Sequence, residues 1–479
     1  MPPEDAITPP PLGPEPGRVR GALSGRIARL HGKWRKSSFI KSRLIAIAHL
    51  LSGNATNALI MLISTTIAAR SLGAQAYGVL ALVLTIGRIS ERLVRFESWQ
   101  PLIRFAAMEE EKKDPRRLSE LFLYGFLLDI GSAVFAALLT VIGGWLLMPV
   151  LHLRPDDLPL VAIYALAIAC NARGMPTAAL RLDGKFRTLA YIQLFASVLR
   201  VGFAIAAMLA GAGLMTFVII WTGAQAIDSL LFLWLGFHVL RKLGIPNPLT
   251  ANLRGLTGKF PGFMKFAWST NFSSTLRTFT QEADTLLIGA LVGTNWAGFY
   301  HIAKRIAKVA QQVGTMIQAV IYPDMARMWA RADFATFRRT TARLQFVLAA
   351  IGLSLLGITW LFGGPLIKLA FGKEFAAAYP LLIAQLMAVV LIMHAAPSRS
   401  ALLAMHRPHF ILMIAGLSTA LFFAVAFTAI PIYGALGANM AHIAFAALTA
   451  VAMDVAMWRG IKEKSRQEAV ATAAGQPIE

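Results

Sequence analysis

The sequence predicts an all-α polytopic membrane protein with about twelve transmembrane helices in two six-helix lobes. Of its 479 residues, 57% are hydrophobic and only 15% are charged, and the mean hydropathy of +0.61 is far above that of a soluble domain. Its apolar runs are about 20 to 25 residues long, which is the length a helix needs to cross about 30 Å of hydrocarbon. A membrane β-barrel would instead show segments of about ten residues that alternate between polar and apolar positions.

The chain begins with a tail, residues 1–43, that is rich in proline at first and basic afterwards. This composition predicts a disordered cytoplasmic segment that leads into an amphipathic segment on the membrane surface. The tail is too long and too polar for a cleaved signal peptide, so the first apolar run is expected to remain as a membrane helix. The predicted spans, with boundaries uncertain by a few residues, are 44–68, 78–102, 120–148, 158–180, 188–211, 215–239, 263–291, 296–322, 343–367, 376–398, 408–430 and 436–458.

The spans divide the rest of the chain into four parts. We expect an N-terminal six-helix lobe at 44–240, a cytoplasmic linker at 241–262, a C-terminal six-helix lobe at 263–460 and a cytoplasmic tail at 461–479.

The cations in the connections between spans are distributed unevenly. About 32 of the 46 Lys and Arg residues fall on the side that holds both termini, whereas the other side holds Arg70, Arg154, Lys368 and Lys373. We call these two sides the cation-rich end and the cation-poor end. Because cytoplasmic loops carry an excess of positive charge, both termini are predicted to be cytoplasmic. The net charge of +22 therefore indicates membrane topology and not nucleic-acid binding.

An internal repeat supports the division into two lobes. With a nearly constant shift of about 220 residues, the matched pairs are Gly73 and Gly293, Gly78 and Gly298, Pro101 and Pro323, and Pro176 and Pro397. An even number of spans separates equivalent positions, so the lobes are predicted to be parallel repeats about an axis along the membrane normal.

The second span contains the most unusual stretch, "LTIGRISERLVRF". Arg88, Glu91, Arg92 and Arg95 fall at i, i+3, i+4 and i+7, which places them on one helical face. An unpaired arginine at the bilayer centre costs roughly 2.5 to 3.5 kcal/mol by insertion scales, so this face is expected to line the protein interior or a wet cavity. One carboxylate cannot neutralise three guanidinium groups.

The eighth span carries cations at the equivalent depth. The repeat shift takes Arg88 to Lys308, with Lys304 and Arg305 one turn away in "HIAKRIAKV", and Arg277 lies in the span before it. Together with Arg173 and Arg200 these side chains predict a strongly cationic bundle centre, which favours an anion because partly desolvated charges are weakly screened.

The alternative interpretation is that buried acids pair with these cations in fixed interhelical ion pairs. It is stronger for Arg95, Arg173 and Arg200, since arginines in the cytoplasmic half can also extend to the interface. The acids that could serve either ion coupling or structural pairing are Glu91, Asp129, Asp228, Glu282 and Asp284. His301, His394 and His442 are expected to be buried polar residues and not metal ligands.

Several chemistries have no sequence signature here. The chain has no Walker A motif, zinc-protease motif or glycine-rich dinucleotide motif, and its single cysteine, Cys170, allows no intrachain disulfide. The predicted connections at the cation-poor end are short, which leaves little room for an external catalytic loop. We therefore expect no cofactor, no metal site and no enzymatic activity.

Short stretches in a characteristic order along the chain resemble a known family. They are "IAARSLGAQAYGVLAL", "ADTLLIGALVGTNWAGFYHIAKRIA", "IYPDMAR", "FGKEFAAAYPLL" and "IPIYGALGANMAHI". The chain resembles the polysaccharide or lipid-linked oligosaccharide flippases of the multidrug/oligosaccharidyl-lipid/polysaccharide (MOP) exporter superfamily. This resemblance implies a MATE-like fold and alternating access between two lobes, with a polyprenyl-diphosphate sugar carried from the inner to the outer leaflet.

The implied substrate agrees with the cationic centre, because a diphosphate headgroup is anionic. We expect Arg88, Arg92, Arg277, Lys304, Arg305 and Lys308 to hold the headgroup while the polyprenyl tail stays in lipid. The expected location is a bacterial-type inner membrane, with a polysaccharide polymerase and chain-length proteins as partners. The competing hypotheses are a drug or metabolite antiporter of the same superfamily and a non-transporting scaffold or membrane enzyme.

Overall fold

The computed structural model describes residues 24–96, 98–110 and 114–473, and side chains over 56–96, 98–109, 114–185, 188, 191–268, 281–312, 314, 322 and 324–466. The chain divides into two compact units, Met1–Ser52 and Gly53–Glu479. The helix crossing and the candidate functional site lie in the second unit. The predicted disordered and membrane-surface segments within residues 1–43 lie outside the described side chains.

Every regular element within the described residues is helical, which confirms the all-α class. The α-helices are α1 (Ser24–Val94), α2 (Trp99–Glu110), α3 (Pro115–Leu147), α4 (Leu158–Ala169), α5 (Gly174–Leu182), α6 (Phe186–Leu209), α7 (Leu214–Lys242), α8 (Leu256–Lys259), α9 (Phe263–Leu291), α10 (Thr294–Ala330), α11 (Phe334–Phe371), α12 (Ala378–Ala404), α13 (Pro408–Tyr433) and α14 (Ala435–Ala473). Three short 3₁₀ turns cover Pro155–Asp157, Pro248–Thr250 and Lys373–Ala377.

Nine segments of the described chain are long and apolar enough to cross a membrane. The protein is therefore polytopic, as predicted. The predicted spans 78–102 and 158–180 each cover two helices, α1 with α2 and α4 with α5, because the chain leaves the helix between them, and the other predicted spans each fall on one α-helix to within a few residues. α9 and α10 are not among the nine, and the segment Thr56–Glu109 combines the end of the first predicted span with the second. The number twelve and the lobe boundaries thus remain predictions.

Capping residues fix where helices begin at the cation-rich end. Asp114 precedes α3, and its side chain accepts a hydrogen bond of 3.0 Å from the backbone N–H of Arg116. Asp333 precedes α11 and accepts one of 3.1 Å from the N–H of Thr336. These carboxylates satisfy amides that have no partner inside their own helices. The bond from Thr336 holds the pKa of Asp333 below its usual range.

Two glycines that the repeat predicted to be equivalent have the same structural role. Gly73 interrupts α1 with φ 71°, and Gly293 immediately before α10 has φ 113°. Both values lie in the region that side chains disfavour, which explains glycine at each position. α10 and the part of α1 after Gly73 therefore begin in the same way.

These two helices cross at the second pair of equivalent glycines. A Cβ on Gly78 would lie 2.7 Å from the carbonyl carbon of Thr294, and a Cβ on Gly298 would lie 3.1 Å from the carbonyl oxygen of Ala74. Thr294 follows Ala74 by the repeat shift, so the two contacts are reciprocal. The crossing thus has the local two-fold relation expected of a parallel repeat.

Further contacts close the cation-poor end around this crossing. Arg70 donates a hydrogen bond of 3.3 Å to the carbonyl oxygen of Leu369, and the Tyr77 and Phe375 rings meet edge to face. The Tyr77 hydroxyl lies 2.8 Å from Nδ1 of His301. α1 and α10 are thereby fixed to each other and to the α11–α12 connection at this end.

Candidate functional site

The candidate site lies where α1 and α10 continue from their crossing toward the cation-rich end. Arg88 follows Gly78 by ten residues and Lys308 follows Gly298 by ten, so each lies about 15 Å along its helix from the crossing. The charges of Arg88 and Lys308 are close enough to interact. The structure therefore brings together the two halves of the predicted cationic centre.

Arg88 has a carboxylate partner on α9. Its Nε donates to Oε2 of Glu282 at 3.1 Å, and its Nη2 donates to the Thr85 hydroxyl at 2.9 Å. The Arg88 side chain is 26% exposed and that of Glu282 is 9% exposed. The alternative interpretation, an interhelical ion pair, thus holds for Arg88, although the pair keeps access to solvent.

Lys304 is held by Asp284, the second carboxylate on α9. Its Nζ lies 2.7 Å from Asp284 Oδ1 and also donates to the backbone oxygen of Gln281. The fully buried Asp284 accepts further bonds from the Tyr300 hydroxyl at 2.8 Å and from His442 Nε2 at 2.7 Å. This network connects α9, α10 and α14, and it favours structural pairing over ion coupling as the role of Asp284.

Two cations of the cluster have no such partner. Arg305 and Lys308 make no hydrogen bond or ion pair in the described part of the chain. Arg305 lies within electrostatic range of Arg88 and Glu282, and Lys308 within range of Lys304 and Glu282. We define the central cluster as Arg88, Lys304, Arg305 and Lys308 with the carboxylates Glu282 and Asp284. Its four cations face two carboxylates, so the cluster has an uncompensated charge of two.

Burial changes along each of the two helices from one end to the other. In α1, residues 79–87 are all buried, whereas Arg92 is exposed. In α10, Ala297, Tyr300 and Ala303 are buried and Lys308 is exposed. Burial along both helices therefore decreases from the cation-poor end toward the cation-rich end within the described residues.

The other predicted residues of α1 and α9 are arranged differently. Arg95 pairs with Glu91 at 2.6 Å, and the Asn171 amide donates to the same carboxylate at 2.5 Å. Arg92 is exposed beyond this pair. The side chain of Arg277 lies outside the described residues.

Asp129 and Asp228 are engaged within the first half of the chain. Asp129 is buried and accepts hydrogen bonds from the Ser98 hydroxyl at 2.5 Å and from the backbone N–H of Met175 at 2.6 Å. Asp228 pairs with Arg173. Both arrangements fix helix against helix, and neither carboxylate belongs to the central cluster.

His394 has a polar partner, but its side chain is 34% exposed, so the prediction of a buried residue is wrong for it. Its Nε2 lies 2.9 Å from Asp454 Oδ2, in a network that includes Ser398 and Gln345. No group of three potential metal ligands occurs within the described residues.

Arg200, which the sequence adds to the cationic bundle centre, differs from Arg95 and Arg173. The alternative of an interhelical ion pair does not hold for it within the described residues. Its guanidinium carbon lies 5.7 Å from the Trp221 ring centroid, and its buried Nε has no acceptor. The sequence signal for a deep cation at this position is that Arg200 lies in the middle of α6, far from both ends of the helix, as Arg88 lies far from the crossing on α1.

Comparison with known proteins identifies a matching family and a bacterial relative. A family model described as "Polysaccharide biosynthesis protein" matches residues 67–380. The Escherichia coli K12 protein named inner membrane protein YghQ is 27% identical over 341 residues, which is 70% of this chain and 94% of that protein.

Solved structures share the fold at low identity. An inward-facing multidrug resistance MATE family transporter of the MOP superfamily matches with a TM-score of 0.65 and 13% identity, over 86% of this chain and 96% of that chain. The lipid II flippase MurJ in an inward closed conformation matches with a TM-score of 0.60 and 13% identity, over 88% and 91%. These likenesses confirm the predicted MATE-like fold.

Proposed function

Because this chain belongs to the polysaccharide biosynthesis protein family, we propose that it is a flippase for a polyprenyl-diphosphate-linked oligosaccharide. It would carry this lipid from the cytoplasmic to the outer leaflet for the assembly of cell-surface polysaccharide. The family membership and the fold support a membrane transporter, and the central cluster supports the anionic substrate.

The observation that carries the proposal is the uncompensated charge of the central cluster. A diphosphate diester has two negative charges, which balance an excess of two cations. Arg305 and Lys308 are the groups available to bind it, because Arg88 and Lys304 already hold carboxylates. Charge-assisted hydrogen bonds to phosphate are strong in a site of low dielectric, whereas the sugars need only polar contacts.

The remaining residues of the proposed site have supporting roles. Arg88 and Lys304 contribute charge from their ion-paired positions, and Arg92 and Arg277 extend the cationic surface as the sequence predicts. The polyprenyl tail stays in lipid. Glu91, Asp129, Asp228, Glu282 and Asp284 are assigned to structural pairing, with ion coupling as the alternative role for Asp284.

The burial gradient supports a loading direction. Burial along α1 and α10 decreases toward the cation-rich end, which we assign to the cytoplasm by the charge rule, together with both termini. The lipid-linked precursor would enter there, and separation of the contacts at Gly78 and Gly298 would open the opposite end. This is alternating access between the two proposed lobes.

The test removes the two unpaired cations together. Arg305→Gln with Lys308→Gln leaves no carboxylate without its partner, so folding should be preserved. In vesicles, transport of a labelled polyprenyl-diphosphate oligosaccharide is expected to fall by at least about 100-fold, since each of the two lost charged hydrogen bonds costs roughly 1.5 to 3 kcal/mol.

The matched control is Arg331→Gln with Arg338→Gln, which removes two exposed cations near the α10–α11 turn. It is expected to transport at the wild-type rate. Unchanged transport by the double variant in the cluster, at normal membrane abundance, would show that the headgroup binds elsewhere.

The fold likeness to a multidrug MATE transporter makes antiport of a drug or metabolite the competing function. Cationic drugs prefer an acidic cavity, and the cation excess of the central cluster opposes them. Deletion of the gene distinguishes the two functions, because loss of a flippase removes surface polysaccharide, whereas loss of an antiporter changes drug sensitivity.

The proposed location is the bacterial inner membrane, which agrees with the name of the curated relative. A polymerase and a chain-length protein are the proposed partners, because flipped repeat units must be joined on the far side of the membrane. Catalysis by the chain itself is not part of this proposal.

A further inference from the structure

Arg200 is a deep cation outside the central cluster that the proposed headgroup site leaves without a role. It lies in the middle of α6, half-buried, with its guanidinium group over the Trp221 ring. An aromatic face stabilises a cation but leaves the N–H groups of its edge free to donate. The buried Nε of Arg200 has no acceptor, so at least one strong donor is unsatisfied.

The surroundings of Arg200 connect it to the central cluster. Tyr164 of α4 and Arg305 of α10 both lie within electrostatic range of Arg200. The Tyr164 hydroxyl donates to Oε1 of Gln225 at 3.3 Å, which adds polar groups to the same wall. Arg200 on α6 and Arg305 on α10 are therefore like charges within electrostatic range of each other, and no carboxylate pairs with either one in the described part of the chain.

Two other arginines in the first half of the chain each have a carboxylate partner. Arg95 pairs with Glu91, and Arg173 pairs with Asp228. If the diphosphate neutralises the central cluster, as in the proposed function on which this argument rests, Arg200 supplies one further positive charge. Removing part of a guanidinium group from water without a counter-ion is costly, and a substrate anion would remove that cost.

We infer that Arg200 binds a second anion of the substrate, a carboxylate on the oligosaccharide, and that the chain transports an acidic lipid-linked oligosaccharide. A guanidinium group binds a planar carboxylate with two parallel hydrogen bonds, which a neutral sugar cannot provide. Placed between Arg200 and Arg305, the carboxylate would also relieve the repulsion between α6 and α10. The acidic sugar lies close to the diphosphate, because Arg305 borders both anions.

The test compares three ligands on purified full-length protein in nanodiscs. They are a polyprenyl diphosphate bearing a neutral disaccharide, the same lipid bearing a uronic acid in place of one sugar, and the methyl ester of that uronic acid. Wild-type protein is expected to bind the acidic lipid at least about tenfold more tightly than either neutral lipid, the effect of one charge-assisted hydrogen-bond pair.

Arg200→Gln is expected to abolish this preference and to leave binding of the neutral lipids unchanged. Arg200→Lys, which keeps the charge but not the fork of donors, should retain part of the preference and confirms that the position accepts substitution. Arg241→Gln, at the exposed end of α7, is the control for loss of one positive charge and should behave like wild type.

Two outcomes overturn the inference while the proposed function stands. An equal loss of binding for acidic and neutral lipids in Arg200→Gln would assign Arg200 to the diphosphate, and equal wild-type affinities for all three lipids would remove the carboxylate site. Failure of wild-type protein to bind any of the three lipids would instead contradict the proposed function itself.

Discussion

Replacement of Gly78 by alanine tests the helix crossing that closes the cation-poor end. The new Cβ would lie 2.7 Å from the carbonyl carbon of Thr294 and closer still to its oxygen. Carbon atoms in contact are about 3.5 to 4.0 Å apart, so α1 and α10 must separate by roughly 1 Å. Both of these Thr294 atoms belong to the backbone, which cannot rotate away as the end of a long side chain can.

The expected cost follows from this displacement. Overpacking of a well-packed contact destabilises a protein by about 1 to 3 kcal/mol, and the gain in helix propensity from glycine to alanine returns only about 0.5 to 1 kcal/mol. Thermal unfolding of purified Gly78→Ala in detergent should therefore show a lower Tm than wild type.

Two matched substitutions give an order of effects. A Cβ on Gly298 would lie 3.1 Å from the carbonyl oxygen of Ala74, so Gly298→Ala needs a smaller shift, whereas a Cβ on Gly131 in α3 meets nothing within 4 Å. The predicted Tm order is Gly78→Ala below Gly298→Ala, and Gly298→Ala below Gly131→Ala. A Tm for Gly78→Ala equal to that of Gly131→Ala would refute the close crossing.

Two further predictions concern ionised groups. Asp284→Asn leaves the partly buried Lys304 without its carboxylate and should lower the free energy of unfolding by about 3 kcal/mol in denaturant titrations, whereas a loss below about 1 kcal/mol would show that this network is not structural. The pKa of Asp333 is lower in the folded protein than in the unfolded chain, so its stabilisation is complete above the unfolded pKa and is lost as the pH falls through the folded pKa. Asp333→Asn keeps an acceptor for Thr336 and should lose less stability than wild type between about pH 5 and pH 2, and parallel pH curves for the two proteins would contradict the cap.

The positions of several site residues along their helices could be predicted from the sequence, because the distance along a helix follows from the number of residues. Arg88 and Lys308 were matched by the repeat shift, and the structure places each ten residues from an equivalent glycine at the crossing. Helical period also placed Glu91 next to one arginine, which is Arg95. These arguments need only the 1.5 Å rise per residue and the 3.6-residue turn.

The partners could not be predicted in the same way. Glu282 is 194 residues from Arg88 in the chain, so their ion pair depends on how α9 packs against α1. Nothing local to Asp284 indicated that His442, 158 residues away, would share its carboxylate. Sequence position gives the depth of a charge, but the neighbour that it meets is decided by packing.

Arg200 is a case in which the sequence could not predict that an ionic partner is absent within the described residues. The sequence places both Arg173 and Arg200 in the cationic bundle centre and leaves an ion pair as the alternative for each. Arg173 meets Asp228, whereas Arg200 meets the face of Trp221 and no carboxylate within the described residues. The difference arises from the neighbours that the Arg200 side of α6 packs against. The sequence pattern does not determine these neighbours.

A structure of the protein with a bound polyprenyl-diphosphate oligosaccharide, determined by electron microscopy in nanodiscs, is the most direct test of the central claim. We expect the diphosphate to lie between α1 and α10, with its phosphate oxygens accepting hydrogen bonds from the guanidinium group of Arg305 and the ammonium group of Lys308. A diphosphate bound outside the central cluster, with Arg305 and Lys308 still unpaired, would contradict it.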